Sequence, residues 1–191
     1  MIFVITGCLA FVLFYIFDLN TVKVRKRGIN ISFVAGIALL SVSTAGILLG
    51  DYEGFDLSIT LKILFWLLSI VSLFMLLYTL FAALPFGATY GKAEPANTVV
   101  DRGMYALCRH PGVIWFFFFY LFLWLASGKT MMMRAGIIWT AINIIYVYVE
   151  DRWFFPAIIN GYDLYKCKVP FLIPNSASIK KCGALKQGDW R

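Results

Sequence analysis

The chain contains little charge and few residues suited to acid–base catalysis. Only 14% of its 191 residues are charged, whereas a soluble domain carries about 25%. His110 is the single histidine. The four cysteines form no CxxC pair and have no spacing typical of a zinc site, so we predict no metal site and reduced thiols. This composition excludes an ordinary soluble domain and a zinc-binding module.

Hydrophobic residues are abundant and occur in long runs. They make up 61% of the chain. Five runs approach or reach the roughly 20 residues that a membrane-spanning helix needs. These runs cover residues 1–17, 29–50, 63–84, 111–128 and 131–149. The sequence therefore predicts an all-α, polytopic membrane helical bundle of about five transmembrane helices.

The basic residues predict the orientation of the bundle. The net charge of +7 comes from clusters that match the positive-inside rule, so no nucleic-acid partner is expected. Four basic residues at 23–27 follow the first apolar run. A signal peptide would carry its positive charge before the run, so we interpret this segment as an uncleaved helix. The N-terminus is expected outside, with the C-terminus and the candidate site in the cytoplasm.

The distribution of polar residues divides the chain into three regions. Residues 1–90 are interpreted as a scaffold of three transmembrane helices, with Asp18 at the end of the first reaching the membrane interface. Residues 91–174 are interpreted as a catalytic region that contains a polar loop, a transmembrane hairpin and a C-terminal motif. Residues 175–191 are basic and low in apolar content, and are interpreted as a tail.

Charged residues at the two ends of the hairpin form the candidate site. Arg109 and His110 precede a helix that is predicted to begin at Pro111, where free N–H groups and the helix dipole favour an anion. Glu150 and Asp151 end the returning helix and suit a cation or hydroxyl groups. Ionisable residues are costly at membrane depth, which favours a functional use. The carboxylate, ammonium, sulfonium and ribose of S-adenosylmethionine fit this polarity.

A purely structural interpretation of the same residues also stands. Arg109 is then a cytoplasmic anchor and His110 a helix-capping group. Glu150 and Asp151 form an interfacial ion pair with Arg152.

Two motifs resemble a known family. Residues Gly103-x-Tyr105-x-x-x-Arg109-His110-Pro111 resemble a signature of the isoprenylcysteine carboxyl methyltransferase and phospholipid N-methyltransferase group. An acidic pair followed by apolar residues, two tyrosines, Val-Pro and a final Pro resembles the downstream pattern of that group. In this chain it is Glu150-Asp151, Phe154, Ile158, Tyr162, Tyr165, Val169-Pro170 and Pro174. The resemblance covers roughly residues 97–175.

The resemblance implies a methyltransferase that uses S-adenosylmethionine, so the predicted bundle is expected to have a cytoplasmic C-terminal cofactor-binding region. It implies that His110 and the backbone near Pro111 help to hold the cofactor, with Tyr105 and Glu150 lining the same pocket. Arg109 and Asp151 belong to the same motifs, while no residue is assigned as catalytic. The chain departs from the pattern at Val113, where a Tyr is usual, and at Asp151, where a Glu is usual.

The methyl acceptor is left open by the sequence. Prenylcysteine carboxylate, a phospholipid amine and a small thiol are all compatible, and a lipophilic acceptor is expected. Trp115, Phe116 and Phe119 begin the fourth predicted helix. We predict that such an acceptor passes these side chains to reach the site between the fourth and fifth helices.

Two other functions compete with methyl transfer. Membrane sterol reductases carry a similar C-terminal pattern and would transfer hydride from NADPH, but they usually have Asn-Tyr after the His, where this chain has Pro111-Gly112. A non-enzymatic membrane scaffold is the second alternative. The oligomeric state is not indicated by any motif.

Overall fold

The computed structural model describes residues 1–24, 26–83 and 99–185, and these contain helices without a β-strand. The α-helices are α1 (Ile2–Leu19), α2 (Ile31–Leu49), α3 (Ile59–Leu77), α4 (Met104–Leu107), α5 (Pro111–Ser127), α6 (Thr130–Val149), α7 (Phe155–Ile158), α8 (Tyr162–Lys168) and α9 (Ser176–Leu185). Short π-helical turns continue α1, α3 and α6 over Asn20–Val24, Tyr78–Ala82 and Glu150–Phe154. The predicted all-α class is confirmed.

Four helical segments are long and apolar enough to cross a membrane. They are Ile2–Val24, Gly28–Leu49, Ile59–Ala82 and Thr130–Ile158. The fifth predicted span is the shorter apolar helix α5, which has 17 residues. Many large apolar side chains on the outer faces of α1, α2 and α3 are exposed, as expected of surfaces that face lipid. By length and composition, these helices are those of a membrane protein.

The third helix begins earlier than its hydropathy predicts. α3 starts at Ile59 rather than at residue 63. Lys62 lies in its first turn and forms an ion pair with Asp56, which lowers the pKa of the Asp56 carboxyl. The helix can therefore include the lysine that precedes the predicted apolar run, because this residue lies in the first turn and is paired with Asp56.

The long helices pack in a definite order. α1 packs against α2 and α6, α6 packs against α5, and α5 packs against α3. The pair α2–α3 is not among the extensively packed pairs of the described residues. At the centre, Trp139 of α6 lies against Gly7 of α1 and its indole N–H donates to the Val4 carbonyl at 2.9 Å. A Cβ at Gly7 would lie 2.2 Å from the indole ring, so only glycine permits this approach.

Two turns meet at one end of the bundle. The Phe55 N–H donates to the Gly128 carbonyl at 3.0 Å, and the Thr130 N–H donates to the Glu53 carbonyl at 3.0 Å. Gly128 has φ +68°, a left-handed conformation that favours glycine. Lys129 donates to the Leu48 carbonyl at 2.7 Å and so caps the C-terminus of α2. The helix ends that carry Asp18, His110 and Glu150 lie at the opposite end.

The C-terminal region folds back onto the hairpin. α9 forms the first part of the predicted basic tail and packs against α4. Residues 84–98, which include much of the predicted polar loop, and residues 186–191 lie outside the described part of the chain.

Candidate active site

The segment before α5 is fixed by the C-terminal motif. The Arg109 N–H donates to the Pro170 carbonyl at 2.9 Å, and the His110 N–H donates to the Phe171 carbonyl at 3.2 Å. These two bonds hold the Val-Pro-Phe segment of the second motif beside the Arg-His-Pro segment of the first. They also occupy two of the amide groups that the sequence offers to an anion at the start of α5.

Asp151 joins four side chains into one buried cluster. Arg109 donates to both of its oxygens, from Nε at 2.7 Å and from Nη2 at 3.1 Å. The Tyr162 hydroxyl donates at 2.7 Å, the His110 Nε2 atom lies 3.3 Å from Oδ1, and the Lys166 Nζ atom lies 3.2 Å from Oδ2. The two motifs, about 40 residues apart in the sequence, therefore meet at one carboxylate.

The Arg109 guanidinium makes four hydrogen bonds inside the protein. Besides its two bonds to Asp151, it donates from Nη1 to the Lys166 carbonyl at 2.9 Å and to the Val169 carbonyl at 2.6 Å. The side chain is buried. Its positive charge is neutralised by Asp151, so Arg109 stabilises the fold of the site and has little capacity left for an anionic ligand.

His110 is an enclosed imidazole whose surroundings favour the neutral ring. Its ring stacks on Phe155 at 5.9 Å between centroids and meets the edge of Phe171 at 5.0 Å. Burial lowers the pKa of His110, and the hydrogen bond to Asp151 opposes this shift. A neutral ring that donates from Nε2 to Asp151 carries its lone pair on Nδ1. The ring can therefore accept a hydrogen bond from a ligand.

Tyr105 lies beside the same site and is held at both ends. Its hydroxyl donates to the Thr79 carbonyl at 2.9 Å, and its own carbonyl accepts from the Tyr165 hydroxyl at 2.7 Å. Burial raises the pKa of Tyr105 above its usual value, so the phenol stays protonated. Burial also raises the pKa of the Cys108 thiol to about 11, which argues against a thiolate nucleophile there.

Glu150 and Asp151, an acidic pair in the sequence, point to different surroundings. They are successive residues of a π-helical turn and project in different directions from its axis, so one carboxyl faces the C-terminal motif while the other faces the bundle. Glu150 accepts from the Tyr146 hydroxyl at 3.2 Å, and the same hydroxyl lies 2.6 Å from Asp18 Oδ2. The candidate residues therefore form two linked groups, one around Asp151 and one around Glu150.

Asp18 is a member of the site that sequence reasoning missed. The prediction that its side chain reaches out to the membrane interface is wrong, because the residue is only 3% exposed and bonds to Tyr146 inside the bundle. The turn after α1 is fixed by Asn20, which donates to the Lys26 carbonyl at 2.9 Å and to Asn30 Oδ1 at 2.8 Å. The sequence did contain a signal for Asp18, because this acidic residue lies between the first apolar run and the basic cluster at residues 23–27.

A cavity of about 640 Å³ extends from this polar end into the bundle. Its polar end includes Asp18, Arg109, His110 and Glu150, and Val113 lies on its wall. Its body is mostly apolar and draws on α1, α2, α3, α5 and α6, so the segment interpreted as a scaffold supplies much of the wall. In size and polarity the cavity suits a hydrocarbon chain with a polar head.

The cavity opens sideways between α2 and α3. Three of its lining residues, Ile37 of α2, Leu77 of α3 and Leu80 of the π-helical turn that continues α3, are 39%, 47% and 38% exposed. By contrast, the lining residues Phe116 of α5 and Val147 of α6 are buried, and these two helices pack against each other. The cavity therefore opens between α2 and α3. It does not open between α5 and α6, the fourth and fifth predicted membrane helices, where the acceptor was expected to enter.

The residues that the structure describes contain no His, Cys, Asp or Glu group with the arrangement of a metal site. Comparison with protein-family models, curated proteins and solved structures finds no match to this chain. What is inferred about its chemistry therefore comes from its own residues and geometry, together with the motif resemblance.

Proposed function

We propose that this chain is a membrane methyltransferase that uses S-adenosylmethionine and acts on a lipophilic acceptor. One observation carries the proposal. The two motifs that resemble those of membrane methyltransferases come together at the polar end of an apolar cavity that opens between two helices. A charged cofactor and a hydrocarbon chain would then meet at one place, each in an environment of matching polarity.

The residues of the polar end fit the cofactor. The Glu150 carboxyl suits an ammonium group, and the neutral His110 ring suits a hydroxyl or amine donor. Tyr105 and Pro111 support the wall next to His110, while Arg109 and Asp151 hold the C-terminal segment against it. When bound, S-adenosylmethionine supplies a methyl group on a positively charged sulfur.

Methyl transfer places modest demands on the protein. It is an in-line displacement, so most of the rate gain comes from positioning two reactants in a near-attack geometry. The described residues that line the cavity are mostly apolar and provide a low-polarity enclosure for such positioning. An acceptor with a long hydrocarbon chain would reach the site from the bilayer through the opening between α2 and α3, and its chain would lie in the apolar body.

Binding of S-adenosylhomocysteine, the demethylated cofactor, tests this proposal directly. We expect it to raise the thermal unfolding temperature of the detergent-purified protein. His110→Ala and Glu150→Gln should each weaken binding roughly tenfold to a hundredfold, because each removes a hydrogen bond to a charged or polar group of one ligand. Asp163→Asn is the control, since Asp163 is exposed and lies outside the cavity lining.

The alternatives give different outcomes in the same assay. Stabilisation by NADPH together with no response to S-adenosylhomocysteine would select hydride transfer. No response to either compound would favour the non-enzymatic membrane scaffold.

We also propose an orientation, with the N-terminus outside and the site in the cytoplasm. Its support is the basic cluster after α1 and the placement of Asp18, His110 and Glu150 at one end of the bundle. Cys167 is exposed on α8, so a membrane-impermeant thiol reagent should label it in inside-out vesicles and leave it unlabelled in intact cells. Cys167→Ser gives the background, and labelling of Cys167 in intact cells would contradict the orientation.

A further inference from the structure

We propose that Asn143 binds a hydroxyl group that the acceptor carries part-way along its hydrocarbon chain. The inference rests on the proposed function and adds a second polar contact to the cavity, away from the residues given to the cofactor. It begins from an amide side chain on the wall of a mostly apolar cavity. Asn143 belongs to α6, which is part of a segment long and apolar enough to cross a membrane. A polar side chain inside such a helix is costly, which favours a role in packing or in function.

Helix geometry places Asn143 on the same wall as Glu150. Four residues of α6 and its π-helical continuation line the cavity, and these are Asn143, Tyr146, Val147 and Glu150. Positions three, four and seven residues apart lie on one face of an α-helix. Because a helix rises about 1.5 Å per residue, Asn143 lies roughly 10 Å deeper in the bundle than Glu150 does.

A packing role does not account for the Asn143 side chain. In membrane bundles such an amide usually hydrogen-bonds to a neighbouring helix. No residue in the described part of the chain forms a hydrogen bond with the Asn143 side chain. By contrast, the hydroxyls of Thr44 and Tyr120, which also line the apolar body, lie 2.9 Å apart and bond to each other. The half-buried Asn143 amide therefore lines the cavity with its donors and its acceptor unused.

A second polar group at this depth also lacks a partner. The Thr140 hydroxyl, one turn before Asn143 on α6, is buried and has no hydrogen-bond partner among the described residues. A threonine hydroxyl inside a membrane helix can bond back to the carbonyl of the preceding turn, and this one does not. The wall around Asn143 therefore holds more hydrogen-bonding capacity than the bundle itself uses.

The cofactor is assigned to the other end of this face. His110 and Glu150, the two residues given to its polar groups, both lie at the polar end of the cavity. His110 directly precedes α5 and Glu150 directly follows α6, so the two positions share one end of the antiparallel hairpin. A ligand that joins them lies across this end of the bundle. The group that meets Asn143, two helical turns deeper, therefore belongs to the acceptor chain in the apolar body.

The chemistry of the amide favours a hydroxyl partner. An Asn side chain offers two N–H donors and one carbonyl acceptor. A hydroxyl both donates and accepts, so it can use both sides of the amide, whereas a carbonyl oxygen would use only the donors. The charged residues among the described lining, Asp18, Arg109 and Glu150, belong to the polar end. A neutral hydroxyl therefore suits the depth of Asn143 better than a charged group does.

Three alcohols of one chain length test the inference by binding. They are octadecanol and two derivatives with a second hydroxyl on the eighth or on the sixteenth carbon, each titrated into the full-length protein in neutral detergent. The eighth carbon lies about as far from the first hydroxyl as Asn143 lies from Glu150. We expect the wild type to bind the eighth-carbon diol roughly threefold to tenfold more tightly than the sixteenth-carbon diol, because a hydrogen bond between uncharged groups contributes about that much.

Asn143→Leu replaces the amide with an apolar side chain of similar size. This variant should bind octadecanol at least as tightly as the wild type does, which shows that it is folded, and should lose the preference for the eighth-carbon diol. Asn143→Ala, which removes the amide without adding apolar bulk, should lose the preference as well. Asn160→Leu is the matched control, since Asn160 is exposed and lies outside the cavity lining, and it should keep the preference.

Two results would overturn the inference. One is a wild-type protein that does not prefer the eighth-carbon diol over the sixteenth-carbon diol. The other is a preference that persists in Asn143→Leu or Asn143→Ala.

The outcome also distinguishes this inference from the proposed function. Wild-type protein that binds S-adenosylhomocysteine but does not discriminate between the diols keeps the methyltransferase proposal and loses the hydroxyl contact. Wild-type protein that prefers the eighth-carbon diol and does not bind S-adenosylhomocysteine loses the methyltransferase proposal and, with it, the hydroxylated chain as part of a methyl acceptor.

Discussion

Asp151→Asn is expected to lower the stability of the protein by about 3–5 kcal/mol, the usual cost of breaking a buried ion pair from one side. The amide cannot accept from Arg109, His110, Tyr162 and Lys166 as the carboxylate does. The Arg109 guanidinium would stay buried without its counter-charge. The segment after α6 should therefore detach from the start of α5.

Thermal unfolding in detergent and limited proteolysis measure this effect. We expect a lower unfolding temperature and earlier cleavage within residues 155–185 than in the wild type. Asp163→Asn changes an exposed acid on neighbouring α8 and should behave as the wild type does. An unfolding temperature for Asp151→Asn equal to that of the control would show that the Asp151 cluster does not hold this segment.

Ala45→Phe is expected to block the cavity while leaving the polar end intact. Ala45 lines the cavity from α2, on the side that faces α3 across the opening. A phenyl ring there would displace at least three methylene groups of a bound chain, which at about 0.8 kcal/mol each corresponds to roughly fiftyfold in affinity. Transfer of labelled methyl groups into a lipid extract should fall by at least that factor at low acceptor concentration.

Val42→Phe is the matched control for the blocked cavity. Val42 lies on the same helix, is 62% exposed and is not part of the lining, so a larger side chain there meets lipid. It should leave methyl transfer unchanged, and both variants should bind S-adenosylhomocysteine. Wild-type transfer by Ala45→Phe would show that the acceptor does not occupy this part of the cavity.

Much of the candidate site follows from the sequence, but the partners of its residues do not. Arg109, His110 and Asp151 were grouped from their motifs, and the structure brings them together. The expectation that Arg109 and the start of α5 would offer free donors to an anion does not match the geometry. Those donors are used by the carbonyls of residues 166–171, and spacing along the chain cannot show which distant carbonyls a guanidinium will meet.

The sequence alone determined the class of this protein, because hydropathy is a local property of each segment. Runs of apolar residues favour membrane helices wherever their neighbours lie, and Pro111 marks the start of a helix by its own chemistry. Only the tertiary structure decided how those helices are rotated and paired. The close approach of Trp139 to Gly7 fixes α6 against α1 and so sets Glu150 beside Asp18, while the separation of α2 from α3 opens the cavity. The rotation and pairing of the helices depend on packing between surfaces that are far apart in the sequence. The hydropathy of each segment does not predict that packing.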